Sequence, residues 1–307
     1  MDTESLKIFC TVAAELSITQ AALRLGRAPS NVSTRIQQLE AELDATLLVR
    51  SGRRIALSPA GERLLDYAQR LLALHEQARQ AISASQTGAV LRLGSMESCA
   101  ASRLPALLTR YHALYPGAQL RLSTGPSRQL LEQLCRGQLD AAFVALPPGD
   151  AHTLADLGLS GRRMWREALR LLLPASLARV RRVADVPLRS LAAFAPGCTY
   201  RSMAETLLGV AGSSDWQVHE IGSYHAMLAC VCAGSSVALM PASVLALTQA
   251  PAELKSLPAG HADTLLVWRT HEQSLALQEW LTLLKQRGAT GIVRASAASC
   301  LATTCPP

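Results

Sequence analysis

Residues 17–61 read SITQAALRLGRAPSNVSTRIQQLEAELDATLLVRSGRRIALSPAG, and the order of signals in this stretch decides the fold of the N-terminal part. Ser17 stands where a helix N-cap belongs, Ala21, Ala22 and Leu25 share one face of the run that follows, and Gly26 closes it. After the turn Arg27-Ala28, Pro29 takes a first helical position, where its missing N–H costs nothing. Val32, Ile36, Leu39 and Leu43 then recur at spacings of four, three and four, which predicts a second helix with one apolar face. Upstream, Leu6, Ile8, Phe9, Val12 and Ala13 predict a helix over 5–14. Downstream, LLVRSGRRIALSPAG predicts a short strand, a glycine-containing turn with three arginines, and a second strand. Helix, tight turn, helix and basic hairpin together predict a winged helix-turn-helix.

The exposed face of the helix from Pro29 carries Ser30, Asn31, Ser33, Thr34, Arg35, Gln37 and Gln38, short polar groups that suit base edges and phosphates in a major groove. The solvated face of any amphipathic helix resembles this when taken alone. The basic hairpin decides between the two readings, because Arg50, Arg53 and Arg54 at its tip suit phosphate contacts that fix register without reading sequence. Expected DNA-binding residues are therefore Ser30, Asn31, Ser33, Thr34, Arg35, Gln38, Arg50, Arg53 and Arg54. Net charge adds little: of the formal +7, the first ninety residues contribute ten Lys or Arg against nine Asp or Glu.

From LKIFCTVAAELSITQAALRLG through RRIALSPAG, residues 6–61, the sequence resembles the LysR family of bacterial transcriptional regulators almost end to end. It departs where that family often has Ser-Gln and this chain has Ala28-Pro29. A proline donates no hydrogen bond to a base, so readout is expected to shift to Ser30, Asn31, Ser33 and Arg35.

Ser58-Pro59 offers an N-cap and a first-turn proline, and no breaker interrupts residues 61–83. Leu64, Ala68, Leu71, His75, Ala78 and Ile82 repeat at four-three spacing, the seam of a two-stranded coiled coil. His75 suits either a pH switch or a tolerated polar position in that seam. The resemblance implies that this linker helix joins two subunits. A homodimer through it is expected, and a homotetramer through the sensing domains.

Beyond a hinge at SASQTGA, VLRLGS, a helix beginning near Met96, AQLRLSTG, a helix from Ser127, and AAFVAL form a βαβαβ pattern, which predicts a parallel sheet flanked by helices. AAFAPGCTYRSMAETLLG and WQVHEIGSYHAMLACVCAGSSVALMP continue the alternation as a second α/β lobe. TLLVWRT and LALQEWLTLLKQRG supply a late strand and helix that return to the first lobe. The expected fold is α+β and multidomain: a winged helix-turn-helix over 1–58, a linker helix and hinge over 59–89, a periplasmic-binding-protein-like effector domain of two α/β lobes over 90–294, and a disordered tail over 295–307.

In such sheets ligands collect at the carboxyl ends of strands beside helix starts. That rule nominates Ser95, Met96, Ser98, Cys99, Thr124, Leu146 and Pro147 in the first lobe, with Thr199 and Arg201 in the second. Ser98 suits a carboxylate ligand or plain helix capping, and Arg201 an anionic ligand or an ordinary ion pair.

No apolar run reaches the roughly 18 residues of a membrane span, and the start MDTESLKIF has no basic, apolar leader. A cytoplasmic place without membrane contact is expected. G-x-S-x-G, phosphate-loop, dinucleotide and H-E-x-x-H motifs are missing, so no enzyme is expected. Cysteine spacing suits neither a metal cluster nor a disulfide framework; no cofactor or metal is expected beyond a small organic effector. Cys198 invites a thiol redox sensor as the alternative signal, since it precedes an arginine-bearing helix start, yet no cysteine follows it until Cys230. The expected partners are double-stranded operator DNA with paired half-sites, the effector and a second copy of the chain, with RNA polymerase as a further candidate.

Overall fold

The computed structural model describes residues 1–51, 54–87, 90–147, 153–210, 212–251, 254–272, 274–285 and 292–293. It divides into two compact units: residues 1–89 with 136–138, and the remainder from residue 90.

The first unit opens with α1 (Thr3–Glu15), capped by the Asp2 carboxylate, which accepts from the Ser5 N–H at 2.7 Å. Ser17 caps α2 (Ile18–Leu25) by accepting from the Gln20 N–H at 3.3 Å, and Gly26 ends it at φ +63°. Next comes α3 (Pro29–Leu43), with Pro29 in its first turn. Ile8, Phe9, Val12, Ala21, Ala22, Val32, Ile36 and Leu39 make one core, whereas Leu43, expected in the apolar stripe, is exposed at its end. Strands β1 (Leu48–Ser51) and β2 (Arg54–Leu57) pair antiparallel, Leu48 opposite Leu57 and Ser51 opposite Arg54.

Helix α4 (Pro59–Thr87) follows directly. Ser58 donates to the Thr46 carbonyl at 2.5 Å and accepts from the Gly61 N–H at 2.9 Å, which fixes the helix start on the segment that enters the hairpin. The expected seam divides along its length. Ala68 is fully buried and Leu64 packs against the same core as α1, while Leu71, His75, Ala78 and Ile82 are exposed. The first turns of α4 thus serve this unit's own core, and the later part presents an exposed apolar edge.

The second unit is built on one mixed sheet in which β3 (Val90–Ser95), β4 (Gln119–Thr124) and β5 (Ala141–Leu146) are parallel. Two antiparallel strands of 15 residues each, β6 (Leu159–Leu173) and β10 (Lys255–Arg269), run beside them. Then come β9 (Val237–Pro241), β7 (Ser190–Ala193) and β8 (Gln217–Glu220), giving the order β4-β3-β5-β10-β6-β9-β7-β8; β11 (Ile292–Val293) pairs with β6. TLLVWRT, expected as a short late strand, is the end of the much longer β10. Both long strands belong to both lobes, and β10 shifts register between Pro258 and His261 and between Thr264 and Leu265.

Helices α5 (Glu97–Ser102), α6 (Leu104–Leu114) and α7 (Ser127–Cys135) dress the first lobe, together with the short α8 (Thr153–Asp156). Pro105 in the first turn of α6 divides the helix expected from Met96 into two. In the second lobe lie α9 (Thr199–Leu208), α10 (Tyr224–Cys232) and α11 (Ala242–Leu245), and α12 (Leu275–Lys285) returns to the first. Trp280 of α12 is fully buried, edge-on to Tyr111 and Phe143 at 5.2 and 6.3 Å between ring centroids. Truncating a core aromatic of this kind costs about 3–5 kcal/mol.

Candidate functional site

Two sites emerge, one in each unit. On α3, Ser30, Asn31, Thr34 and Gln38 are exposed, and Ser33 and Arg35 are half-buried. Arg35 is not an idle cation: it lies 3.6 Å from the Asp2 carboxylate, so one residue both caps α1 and steadies the Arg35 side chain. Glu40, on the same helix, accepts from the N–H groups of Leu47 and Leu48 at 2.7 and 3.1 Å. Its carboxylate therefore sets the path into the hairpin. The backbones of Arg50 and Arg54 lie in β1 and β2; Arg53 lies outside the described residues.

In the second unit, a cavity of about 300 Å³ opens between the lobes, at the carboxyl ends of β3, β4, β7 and β8. Met96, Ser98 and Thr124 line it from the first lobe and Thr199 from the second, so four of the nominated residues meet there. The other five do not line it. Ser95 is fully buried, its hydroxyl donating to the Met96 carbonyl at 3.0 Å, and Cys99, on α5, is buried as well. Leu146 packs against the first lobe's core. The end of β5, where Leu146 and Pro147 stand, is covered by helix starts: the Ala145 N–H donates to Ser127 Oγ at 3.1 Å, and Thr199 Oγ1 donates to the Ala145 carbonyl at 2.7 Å. Arg201 turns behind the wall, donating to Glu205 at 2.7 Å and to the Phe194 carbonyl at 3.0 Å, so its role is to hold Phe194 in place.

Sequence reasoning missed most of the second-lobe wall, which is formed by Phe194, Ala195, Tyr200, Glu220, Gly222 and Tyr224, and in the first lobe Glu97 and the run Gly125 to Ser127. The same rule of strand ends and helix starts, applied to β7 and β8, finds Phe194, Glu220 and Tyr224. Those strands are only four residues long and were not delimited in the sequence. Phe194 and Tyr224 meet edge to face at 4.8 Å. Beneath the cavity, Arg103 of the first lobe pairs with Glu167 on β6, Nε to Oε1 at 3.0 Å.

Cys198 lines the cavity. Burial pushes its thiol pKa up against the opposing pull of the Arg201 and Tyr200 backbone N–H groups and the Arg201 charge. Burial likewise lifts Cys99 to about 12 and Cys10 to about 11. Such thiols are protonated at neutral pH and are poor nucleophiles. Among the described residues, no group of three His, Cys, Asp or Glu side chains is placed to hold a metal, and no helix is long and apolar enough to cross a membrane.

A winged helix-turn-helix joined to a two-lobed domain with a cavity between its lobes defines a DNA-binding regulator with an effector-binding domain. The chain belongs to the LysR family: residues 3–62 match the model of the bacterial regulatory helix-turn-helix protein, lysR family, and residues 84–289 that of the LysR substrate binding domain. It is a LysR-type transcriptional regulator. It is 35% identical over 257 residues to the HTH-type transcriptional regulator GltR of Bacillus subtilis, covering 83% of this chain and 85% of GltR. Similarity to the HTH-type transcriptional regulator YofA of Bacillus velezensis is 37% over 246 residues, covering 80% of this chain and 82% of YofA. The fold matches the crystal structure of CbnR, a LysR family regulator, with TM-score 0.67 at 22% identity over 95% of this chain and 100% of CbnR. Full-length CbnR complexed with its target DNA matches with TM-score 0.64 at 22% identity, over 93% and 99% of the two chains.

Proposed function

We propose that this regulator binds paired operator half-sites as a homodimer joined through α4, assembles further to a homotetramer through its effector domains, and changes its grip on DNA when a small organic molecule occupies the cavity between the lobes. In this reading Ser30, Asn31, Ser33, Thr34, Arg35 and Gln38 meet base edges and nearby phosphates, and Arg50, Arg53 and Arg54 hold the backbone beside them. The protein works in the cytoplasm, as a sensor and not as a catalyst, with no metal or cofactor.

The observation that carries the proposal is the placing of the cavity. Met96, Ser98 and Thr124 face it from one lobe, and Phe194, Thr199 and Tyr224 from the other, so one occupant touches both. A ligand that contacts both lobes binds one arrangement of them better than another and shifts the population toward it. The coupling between ligand and DNA is then reciprocal.

The test has two stages. A thermal-shift screen of the full-length protein against small acids, amines and amino acids identifies a ligand, because a molecule that binds only the folded state raises its stability. Footprinting and bending of an operator selected from random duplexes are then compared with and without that ligand at saturation. The expected result is a shifted protected region or a changed bend. An identical footprint and bend would overturn the proposal.

A further inference from the structure

The cavity wall carries the wrong charge for a purely anionic ligand. Two carboxylates, Glu97 and Glu220, line it, and no Lys, Arg or His among the described residues does. Arg201 stands 3.8 Å from Glu220 behind the wall, but its guanidinium is already held by Glu205 and the Phe194 carbonyl. Glu97, exposed in the first turn of α5, has no ion-pair partner among the described residues. An anion placed here meets two like charges with a single shared cation to offset them.

The rest of the wall suits a cation. Phe194 and Tyr224 present an edge-to-face ring pair, and Glu97 lies within electrostatic reach of the Tyr224 phenol. Aromatic faces next to a carboxylate attract an ammonium group both by the ring quadrupole and by direct charge. Deeper in the wall, Tyr200 is 4% exposed and stands beside Ser98 and Thr264.

We propose that the ligand of this cavity carries an ammonium group on a small apolar body, with Glu97 as counter-ion and the Phe194–Tyr224 pair as the surface beneath it. The proposal rests on the reading that this cavity is the effector site. A free amine and an α-amino acid both present the required group. At about 300 Å³ the cavity lies at the small end of ligand pockets, room for one ring and a short chain.

Isothermal titration of the full-length protein with 2-phenylethylamine, phenylalanine and 3-phenylpropanoate separates the charges on one body. The amine or the amino acid is expected to bind at least about tenfold more tightly than the carboxylate, a difference of about 1.4 kcal/mol. The tighter of the two shows whether the ligand is a plain cation or a zwitterion. Glu97→Gln, an isosteric change at an exposed position, is expected to remove that advantage, with circular dichroism verifying the fold. Carboxylate binding as tight as the amine's, an unchanged preference in Glu97→Gln, or no binding by any of the three overturns the assignment. Phe194→Ala tells this failure from that of the effector site itself. If it weakens binding of the carboxylate, the cavity still holds the ligand and only its charge was misassigned; if it leaves all binding unchanged, the cavity is not the site.

Discussion

Thr199 Oγ1 donates to the Ala145 carbonyl at 2.7 Å and so ties the first turn of α9, in one lobe, to the end of β5, in the other. Two more bonds cross between the lobes nearby: the Arg128 N–H donates to the Gly197 carbonyl at 3.3 Å, and Ser102 Oγ donates to Ser243 Oγ at 3.3 Å. Each is worth about 0.5–1.5 kcal/mol net, little enough for a ligand to rearrange. Thr199→Val keeps the shape and removes the donor. It is expected to cost about 1 kcal/mol and lower the effector domain's melting temperature by about 2–4 °C in calorimetry. An unchanged melting temperature would show that the bond does not hold the lobes together.

Gly61 poses a different constraint. A Cβ at this position meets the Leu47 carbonyl oxygen at 2.1 Å, because α4 starts directly against the segment that enters the hairpin. Alanine gains about 1 kcal/mol of helix propensity over glycine, whereas overpacking costs about 1–3 kcal/mol. The contact is to backbone, which cannot swing aside, so the clash outweighs the propensity gain. Gly61→Ala is expected to destabilise the DNA-binding unit in thermal unfolding, and an increase in stability would refute the close approach.

The N-terminal unit was legible because its signals are local. Ser17, Gly26 and Pro29 act through bonds within a few residues, and the apolar spacing of α3 needs no distant partner. The effector domain's general layout was legible for the same reason, and Met96, Ser98, Thr124 and Thr199 followed from the strand-end rule. What escaped depends on distant pairing. β6 and β10 are 15-residue strands only because they pair with each other, across register shifts that break their alternation. Of the two readings open for Arg201 the structure shows the ion pair, with Glu205 four residues on along α9, while its bond to the Phe194 carbonyl depends on the tertiary fold. The coiled-coil seam likewise gave no sign that Ala68 belongs to the core beneath α1.

Thiol chemistry offers a direct check on the effector reading. Burial raises the Cys198 pKa, so the thiolate forms only as pH climbs above the ordinary thiol range. Cys232, by contrast, is exposed. Maleimide labelling followed by mass spectrometry is expected to modify Cys232 well before Cys198 near neutral pH, with Cys198 catching up as pH rises. Faster labelling of Cys198 at neutral pH would favour the thiol-sensing alternative.

For DNA, the division of labour between α3 and the hairpin gives opposite signatures. Arg53→Ala or Arg54→Ala is expected to weaken binding to all duplexes and to reduce the salt slope by about one per lost phosphate contact. Asn31→Ala, on the exposed face of α3, is expected to change the preference among half-sites by about 1–3 kcal/mol, with little effect on the slope. Titrations with selected and scrambled duplexes over a salt series distinguish the two. If neither kind of change alters binding, α3 is not the reading helix.

The assembly prediction follows from how α4 divides its apolar residues. Ala68 is fully buried in the unit's own core, whereas Leu71 is 41% exposed, Leu74 62% and Ile82 82%. Exposed leucine and isoleucine at these spacings on one long helix form an edge that a second copy can cover, and pairing two such helices brings together two recognition helices for paired half-sites. Two neighbouring substitutions should therefore fail in different ways. Leu71→Glu places a charge in the seam between copies and is expected to leave a folded protein of smaller oligomeric state with strongly reduced operator affinity, because recognition helices no longer joined through α4 each grip one half-site alone. Ala68→Glu forces a charge into the core under α1 and is expected to unfold the DNA-binding unit itself. Light scattering reads the oligomer and circular dichroism the fold. A Leu71→Glu protein that keeps the wild-type oligomeric state, or a wild-type protein that is monomeric at micromolar concentration, would overturn the α4 contact.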